Sequence, residues 1–227
     1  MNIAIHQPNL FPWLGFFDKM ACADLFIFLD QVQFTKRGYQ NRVKLKGPNG
    51  VQWLTVPVKS KGRYEQLTLD VEIDREHPWK KEHLKTFETI YRGTPGFSEL
   101  MPQVEQLYER DCQRLVDMNI PGIELIRKRL GIETPLLSAS EMPAAGSRSH
   151  LLCELVLAAG GTTYLSGPSG RAYLDESVFR EKGVKLEYHQ FEIAEYPQRF
   201  GEFTGGLSAL DYLFHDPLLT HWKRWRP

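Results

Sequence analysis

The sequence predicts an α/β protein with a mostly parallel sheet flanked by helices, an inserted β-hairpin and a central helical segment. A strand–helix–strand pattern opens the chain, and a second such unit follows residue 160. Between the two units, apolar residues recur at the three- to four-residue spacing of helices. The 227 residues are 42% hydrophobic and 25% charged. This composition excludes disordered, collagen-like and disulfide-framework proteins.

The first element pair is indicated by two apolar runs near the amino terminus. Residues 2–5 lead to His6, where asparagine and proline follow and break the strand; residues 25–29 lead to Asp30. A short helix is predicted between the two strands, near residues 16–23. Parallel neighbouring strands end at one edge of a sheet, where α/β proteins bind ligands. We therefore expect His6 and Asp30 to face one crevice.

The middle of the chain predicts a hairpin followed by helices. Residues 40–46 and 51–58 alternate around a turn at residues 47–50. Helical spacing dominates residues 78–130, and three prolines (Pro95, Pro102 and Pro121) are expected to divide it into at least three helices. Residues 135–145 are predicted to be a linker. One domain, 1–227, is therefore predicted, with a β-α-β part and basic hairpin (1–64), a helical segment (65–134) and a second α/β half (146–227).

The second half predicts another strand–loop–helix–strand unit. A helix is expected at residues 151–159, with Ser147 or Ser149 as its N-cap. A strand at 162–165, a helix at 173–182, a strand at 184–189 and a capped helix at 207–214 follow. The loop at residues 166–170 is rich in serine and glycine, and its backbone amides at a helix start are predicted to bind an anion.

Charge and cysteine content limit the function classes. The 28 Lys+Arg residues balance 28 Asp+Glu, so the chain lacks the basic character typical of nucleic-acid binders. Three scattered cysteines without a C-x-x-C pair favour reduced thiols in a cytoplasm. The sequence shows neither a secretory leader pattern nor an apolar run long enough to cross a bilayer. We expect a cytoplasmic protein without stable membrane insertion and without a nucleic-acid partner.

A basic segment lies between Gln31 and Tyr64, which contains no acidic residue. Its positive field suits an anionic ligand, although a solvated hairpin with cations along its edge explains the same pattern. Lys36, Asn41 and Arg42 supply the ammonium, amide and guanidinium groups that bind phosphate, and the segment also contains Lys59. A small phosphorylated ligand is the prediction.

His6 is the first candidate for catalysis, since an imidazole can accept a proton near neutral pH. Asp30 either fixes the tautomer of His6 or only caps a turn. Cys153 is either a nucleophile near a helix start or, as its leucine neighbours favour, a core residue. The sequence shows no compact set of metal ligands, and we predict neither a metal nor a cofactor.

Six runs resemble the WbqC-like protein family across nearly the whole chain. They are IHQPNLFPWLGFFDK (5–19), FLDQVQFTKR (28–37), QNR (40–42), WLTVPV (53–58), YLSG (164–167) and LSALD (207–211). Gln31 stands where the family often has a second aspartate, which disfavours a two-carboxylate metal site.

The resemblance implies a transferase of bacterial surface-polysaccharide (O-antigen) biosynthesis. It would transfer a glycyl or other acyl group from an activated donor, free or on a carrier protein, to the amine of a nucleotide-linked amino sugar. The alternatives are a nucleotidyltransferase-like enzyme and a non-catalytic module that binds sugar nucleotides or a carrier protein. His6 and Asp30 are the predicted catalytic pair, and the predicted substrate-binding residues are Gln7, Gln33, Lys36, Asn41, Arg42, Lys59, Ser166, Gly167, Tyr173, Gln198, Ser208 and Asp211.

Overall fold

A computed structural model describes residues 1–222 of the chain. Its large sheet contains five strands: β1 (Asn2–His6), β2 (Leu25–Phe28), β5 (Leu136–Ser138), β6 (Thr163–Ser166) and β7 (Lys185–Tyr188). Strands β3 (Arg42–Gly47) and β4 (Gly50–Thr55) form a separate antiparallel hairpin. The helices are α1 (Leu14–Ala21), α2 (Trp79–Tyr91), α3 (Phe97–Glu109), α4 (Val116–Arg129), α5 (Arg148–Ala158), α6 (Glu176–Glu181) and α7 (Ala209–His215).

The large sheet has the strand order β5-β2-β1-β6-β7, and every neighbouring pair is parallel. This confirms the predicted α/β class with its inserted hairpin. Strand β1 lies at the centre, since it pairs with β2 on one side and β6 on the other. The carboxyl ends of these three strands therefore meet at one edge of the sheet, as expected from the first half of the sequence.

Strand β1 supplies side chains to two cores, one on each face of the sheet. Ile3 and Ile5 pack with residues of α5, whereas Ala4 packs on the opposite side with α1 and the helical segment. Successive side chains of a strand point to opposite faces, so an unbroken apolar run is what a strand buried on both faces requires. This packing fixes the position of His6, the next residue along the strand.

The helical segment contains α2, α3 and α4, as the expected minimum of three helices requires. The predicted boundaries were wrong at Pro102 and Pro121, which lie inside α3 and α4. Each proline is the sixth residue of its helix. Proline has no backbone N–H, so the helix loses one hydrogen bond near its start rather than one in its centre. The carbonyl that lacks a donor because of Pro102 is that of Ser98, a residue that is exposed to water. The carbonyl left by Pro121 belongs to Asp117, and the Cys112 thiol lies 3.5 Å from it.

The predicted linker at residues 135–145 contains strand β5, which adds an edge to the large sheet beside β2. A 3-10 turn, Ala139–Glu141, follows it. Because β5 has only three residues and lies between prolines, its alternation is too short to be recognised in the sequence. The segment therefore carries structure that the prediction missed.

The predicted helix starts in the second half also need correction. Ser147 is the N-cap of α5 but makes no side-chain cap bond, and the Ser149 hydroxyl instead accepts a hydrogen bond from the Asp175 N–H at 2.9 Å. The loop after β6 leads into a 3-10 turn, Pro168–Ala172, and α6 begins only at Glu176. The cap expected for the last helix is Ser208, whose side chain accepts from the Leu210 N–H.

Candidate functional site

A pocket of about 790 Å³ opens at the edge of the sheet where β1, β2 and β6 end. Its wall combines the ends of these strands with the loop after β2, the start of α5 and the loop after β6. A second cavity of about 830 Å³ lies along the start of α4 and takes no residue from this edge. The residues that line the strand-end pocket are Ile5, His6, Gln7, Lys19, Leu29, Gln31, Val32, Gln33, Gly146, Ser147, Arg148, Leu151, Leu152, Tyr164, Gly167, Ser169 and Tyr173.

The imidazole of His6 is half-buried in this wall, and its Nδ1 lies 3.0 Å from the Gln7 carbonyl oxygen. A carbonyl only accepts hydrogen bonds, so this contact assigns the proton to Nδ1 and leaves a lone pair on Nε2. The Phe16 ring packs edge-on against the imidazole at 5.0 Å. Burial, reinforced by the nearby Lys19, lowers the pKa of His6 to about 3, while the Gln7 bond opposes the shift. The ring is therefore neutral at ordinary pH.

Lys19 is the second ionisable group of the pocket, and the site prediction missed it. Its Nζ donates a hydrogen bond to the Ile5 carbonyl at 3.0 Å, and only 3% of the residue is exposed. Burial lowers the pKa of this ammonium to about 7. One signal was available in the sequence: residues 18 and 19 are charged within a run, residues 14–23, that contains no other polar side chain except a cysteine. A charged pair inside such an apolar helix needs a polar environment or a function.

The start of α5 is the part of the wall whose groups are best suited to an anion. The first N–H groups of a helix have no partners within it, and α5 has no side-chain cap to satisfy them. Arg148, at the first helical position, brings a guanidinium to the same part of the pocket. Its φ of 51° lies in the left-handed region, a backbone strain that is common at ligand sites. Amides, helix dipole and guanidinium together suit a phosphate or carboxylate.

The rest of the wall is largely apolar. Leu29 follows β2, Leu151 and Leu152 belong to α5, and the largely exposed Tyr173 also lines the pocket. The amides of Gln31 and Gln33 also belong to the wall, and the Gln33 Nε2 donates to the Tyr64 carbonyl at 2.8 Å. A mixed wall of this kind binds the apolar body of a ligand while a few polar groups set its orientation.

Five of the predicted site residues therefore come together: His6, Gln7, Gln33, Gly167 and Tyr173 all line the pocket. Ser166 is buried next to it, and its hydroxyl donates to the Gly167 carbonyl at 3.1 Å. Asp30 has a different role in the structure from the expected contact with His6. Its two carboxylate oxygens accept hydrogen bonds from the backbone N–H and the hydroxyl of Ser140, at 2.9 and 2.7 Å.

The structure does not bring the predicted phosphate-binding cations of the hairpin region into this wall. The Arg42 guanidinium stacks on the Trp53 ring at 4.1 Å and donates to the Arg37 carbonyl. Lys59 pairs with Glu72 at 2.9 Å. Lys36 is exposed, and the buried Asn41 amide donates to the Val56 carbonyl at 3.0 Å. These contacts match the alternative interpretation of the basic segment, a hairpin with cations along its edge.

Gln198, Ser208 and Asp211 lie in a buried network that anchors α7. Asp211 accepts hydrogen bonds from the hydroxyls of Tyr91 and Tyr196, at 2.9 and 2.8 Å, and from the Gln198 amide at 3.2 Å. Burial raises the pKa of the Asp211 carboxyl. The Ser208 hydroxyl donates to a backbone carbonyl at 2.9 Å. Every one of these groups is satisfied by the protein itself, which is typical of residues that hold a fold together.

The cysteine alternatives can be compared directly. Cys153 is fully buried among the apolar residues of α5 and its neighbours, and burial raises the pKa of its thiol. A raised pKa favours the thiol over the nucleophilic thiolate.

Within residues 1–222, one group of metal-ligating side chains comes together away from the pocket wall: Asp18, Cys22 and His189.

Comparison with known proteins places the chain in a family. The model of the WbqC-like protein family matches residues 7–218. The chain belongs to the WbqC-like protein family. The segment matched in this WbqC-like protein includes every pocket-lining residue except Ile5 and His6, which immediately precede it. None of the helices within residues 1–222 is long and apolar enough to span a bilayer.

A curated relative supports the same assignment. It is the Uncharacterized protein Rv1507c of Mycobacterium tuberculosis (strain ATCC 25618 / H37Rv), which is 36% identical over 216 residues. The alignment covers 94% of this WbqC-like chain and 93% of the relative. No solved structure shows a significant match to the chain.

Proposed function

We propose that this WbqC-like protein is a transferase of bacterial surface-polysaccharide biosynthesis. In this proposal, it transfers an aminoacyl (glycyl) or other acyl group to the amine of a nucleotide-linked amino sugar. The observation that carries the proposal is that a single pocket combines a neutral imidazole with a helix start that has no side-chain cap and carries Arg148. The first group suits proton transfer, and the second suits the phosphates of a sugar nucleotide.

The start of α5 would hold the phosphates of the acceptor. The uncapped amides of α5 would donate hydrogen bonds to these phosphates, and the Arg148 guanidinium would add positive charge. The apolar side chains beside them cover less polar parts of the substrate. Fixing both reactants in one pocket accelerates a transfer between two molecules by several powers of ten.

His6 would take the proton in the transfer step. The acceptor amine attacks the acyl carbonyl and forms the carbon–nitrogen bond, and the bond to the leaving group of the donor breaks with its electron pair. The nitrogen is positively charged in the tetrahedral adduct, and the electron-withdrawing carbon to which it is bonded, which carries an oxygen and the leaving group, makes it more acidic than a free ammonium group. Even a weakly basic imidazole with a free Nε2 can accept that proton.

Lys19 would stabilise the oxygen of the same adduct. One of its N–H groups is already used on the Ile5 carbonyl, and the Nζ has further donors for an oxygen that gains negative charge. Donors that are already fixed in a buried wall stabilise such an oxygen more strongly than water does. The main-chain bond to β1 holds Lys19 at the strand end that also carries His6.

The test uses the full chain with nucleotide-linked amino sugars and activated glycyl or acyl donors, and detects the amide product by mass spectrometry. We expect product with the natural sequence and at least a hundredfold loss in His6→Asn. Arg148→Ala should raise the KM for the sugar nucleotide about tenfold, a loss of about 1.4 kcal/mol of binding. Arg42→Ala is the matched control, since that guanidinium lies outside the pocket wall, and it should change neither kcat nor KM.

Three results would contradict the proposal. Full activity in His6→Asn would remove the proposed base. Magnesium-dependent release of pyrophosphate without an amide product would indicate a nucleotidyltransferase. Tight binding of sugar nucleotides without turnover, across the whole donor panel, would indicate a binding module.

A further inference from the structure

A second polar cluster lies in the interior of the protein, formed by Asp18, Cys22 and His189. Asp18 and Cys22 are four residues apart in and just after α1, so their side chains share one face of the helix. His189 follows β7 and brings its ring to that face from a position 171 residues further along the chain. The His189 Nε2 lies 2.7 Å and the Cys22 Sγ 4.0 Å from the Asp18 Oδ2.

We infer that Asp18, Cys22 and His189 bind a divalent transition-metal ion, with Zn²⁺ the best match. A thiolate, an imidazole and a carboxylate are the three side-chain donors that Zn²⁺ accepts in proteins. Calcium and magnesium prefer oxygen donors alone, so the sulfur and nitrogen argue against them. With a neutral imidazole, the thiolate and carboxylate carry two negative charges, which a divalent cation neutralises.

The spacing of the donor atoms fits a single ion after a small adjustment. One potential donor atom from each residue lies within 4.8 Å of those of the other two. Bonds of about 2.0–2.3 Å in tetrahedral geometry separate two ligands by about 3.3–3.5 Å. The 4.0 Å distance from Asp18 to Cys22 would shorten by about 0.5 Å, and the 2.7 Å hydrogen bond from His189 would open by about 0.6 Å.

Burial and surroundings also suit a metal site. Asp18 and His189 are 0% and 2% exposed, and the carboxylate belongs to a helix whose other buried residues are mostly apolar. The Phe191 ring stacks on the imidazole of His189 at 6.4 Å, and Trp13 packs edge-on against Phe191 at 5.5 Å. An apolar shell around the ligands excludes water and strengthens their electrostatic attraction to a cation.

The position of the cluster indicates a structural role. Residues 189–207 form neither a helix nor an extended strand, so this long segment has few backbone hydrogen bonds of its own to hold it. An ion bound to His189 would fasten its start to α1. Asp18 and Cys22 do not line the pocket, although Lys19 between them does. The inference is therefore independent of the proposed transferase activity.

The test is a titration of the chelator-treated full chain with Co²⁺, which replaces Zn²⁺ and is visible by absorption. We expect one Co²⁺ per chain, a near-ultraviolet thiolate-to-cobalt charge-transfer band and visible bands more intense than those of octahedral aqueous Co²⁺. Stoichiometric Zn²⁺ should remove these bands and raise the Tm. Cys22→Ala should abolish the charge-transfer band, and His189→Gln should weaken Co²⁺ binding at least tenfold. Cys112→Ala is the matched control, and it should keep both bands.

The natural sequence alone can overturn the inference, so a variant that fails to fold does not decide it. A folded, monodisperse protein that binds no Co²⁺, or binds it without a charge-transfer band, would contradict it. A charge-transfer band that persists in Cys22→Ala and disappears in Cys112→Ala would assign the thiolate to another site and would contradict it equally.

Discussion

The carboxylate of Asp30 binds Ser140 through both of its oxygens, one to the backbone N–H at 2.9 Å and the other to the hydroxyl at 2.7 Å. Asp30 follows β2, and Ser140 lies in the 3-10 turn after β5. The pair therefore joins the ends of two neighbouring strands at the sheet edge that carries the pocket. This contact supports a positioning role for Asp30, and the catalytic role expected from the sequence stays a prediction.

The role of Asp30 can be tested with Asp30→Asn and Ser140→Ala. Asp30→Asn replaces a charged acceptor by a neutral amide, and Ser140→Ala removes the hydroxyl donor, so we expect each variant to lose about 1–3 kcal/mol of unfolding free energy. In the double variant the losses should be less than additive, because both changes break the same contact. Urea denaturation measures all three. Additive losses, or loss of transferase activity in Asp30→Asn alone, would contradict a shared positioning role.

The tyrosine hydroxyls on Asp211 should contribute to stability. Tyr91→Phe and Tyr196→Phe each remove a hydrogen bond to a buried carboxylate, and we expect each to lower the unfolding free energy by about 1–3 kcal/mol. Tyr64→Phe is the control, because Tyr64 is 82% exposed and its substitution should change stability by less than about 0.5 kcal/mol. Chemical denaturation provides the comparison. Equal stability of all three variants would show that the network contributes nothing.

The buried His83 should make the protein sensitive to acid. Its Nε2 donates to the Thr55 carbonyl at 3.0 Å and its Nδ1 accepts from the Tyr108 hydroxyl at 2.9 Å. Burial lowers its pKa from 6.5 to about 4. The unfolded chain therefore binds this proton at a higher pH than the folded one, so stability falls as the pH drops below 6.5.

The expected size of this effect is on the order of 3 kcal/mol at pH 4. His83→Gln keeps an amide donor and acceptor but has no titrating group. Between pH 7 and pH 4, the unfolding free energy of the natural protein should therefore fall by about that much more than that of the variant. Parallel pH profiles of the two proteins would show that His83 titrates normally.

Gly96 allows α3 to approach α7 closely. A Cβ at this position would lie 2.4 Å from the Leu213 carbonyl oxygen, a backbone atom that cannot move aside. Gly96→Ala should therefore lower the unfolding free energy by about 1–3 kcal/mol. Gly167→Ala is the control, because its added Cβ would meet nothing within 4 Å. Thermal unfolding of the two variants checks the difference, and an unchanged Tm in Gly96→Ala would disprove the close approach.

Much of the fold could be predicted because its signals are local. Residues 2–5 and 25–29 are apolar runs of strand length that end at turn residues, and both strands form within one residue of the expected ends. Strand β5 has three residues and leaves no such pattern. The position of Pro121 depended on where α4 starts, and that start is set by packing and by the Asp117 side chain, which accepts from two N–H groups before the helix.

The site was harder to predict because it depends on which side chains meet across the fold. His6 could be found from its place at a strand end, because α/β proteins bind ligands at the carboxyl ends of parallel strands. Arg148 and Arg42 look equivalent in the sequence, yet one lines the pocket and the other stacks on Trp53. Likewise, the spacing of Asp18 and His189 along the chain carries no hint of their contact.

The central place of β1 has a consequence for biosynthesis. On one side of β1, residues 2–4 pair with residues 163–165 of β6. This edge of β1 therefore stays unpaired until β6 leaves the ribosome. At about 5–20 residues per second, this interval is roughly ten to thirty seconds. A nascent chain with an apolar strand edge open for that long can pair with other chains. Strand β1 is thus among the last parts of the sheet to be enclosed, although it is made early, and the yield of the protein in cells should depend on chaperones.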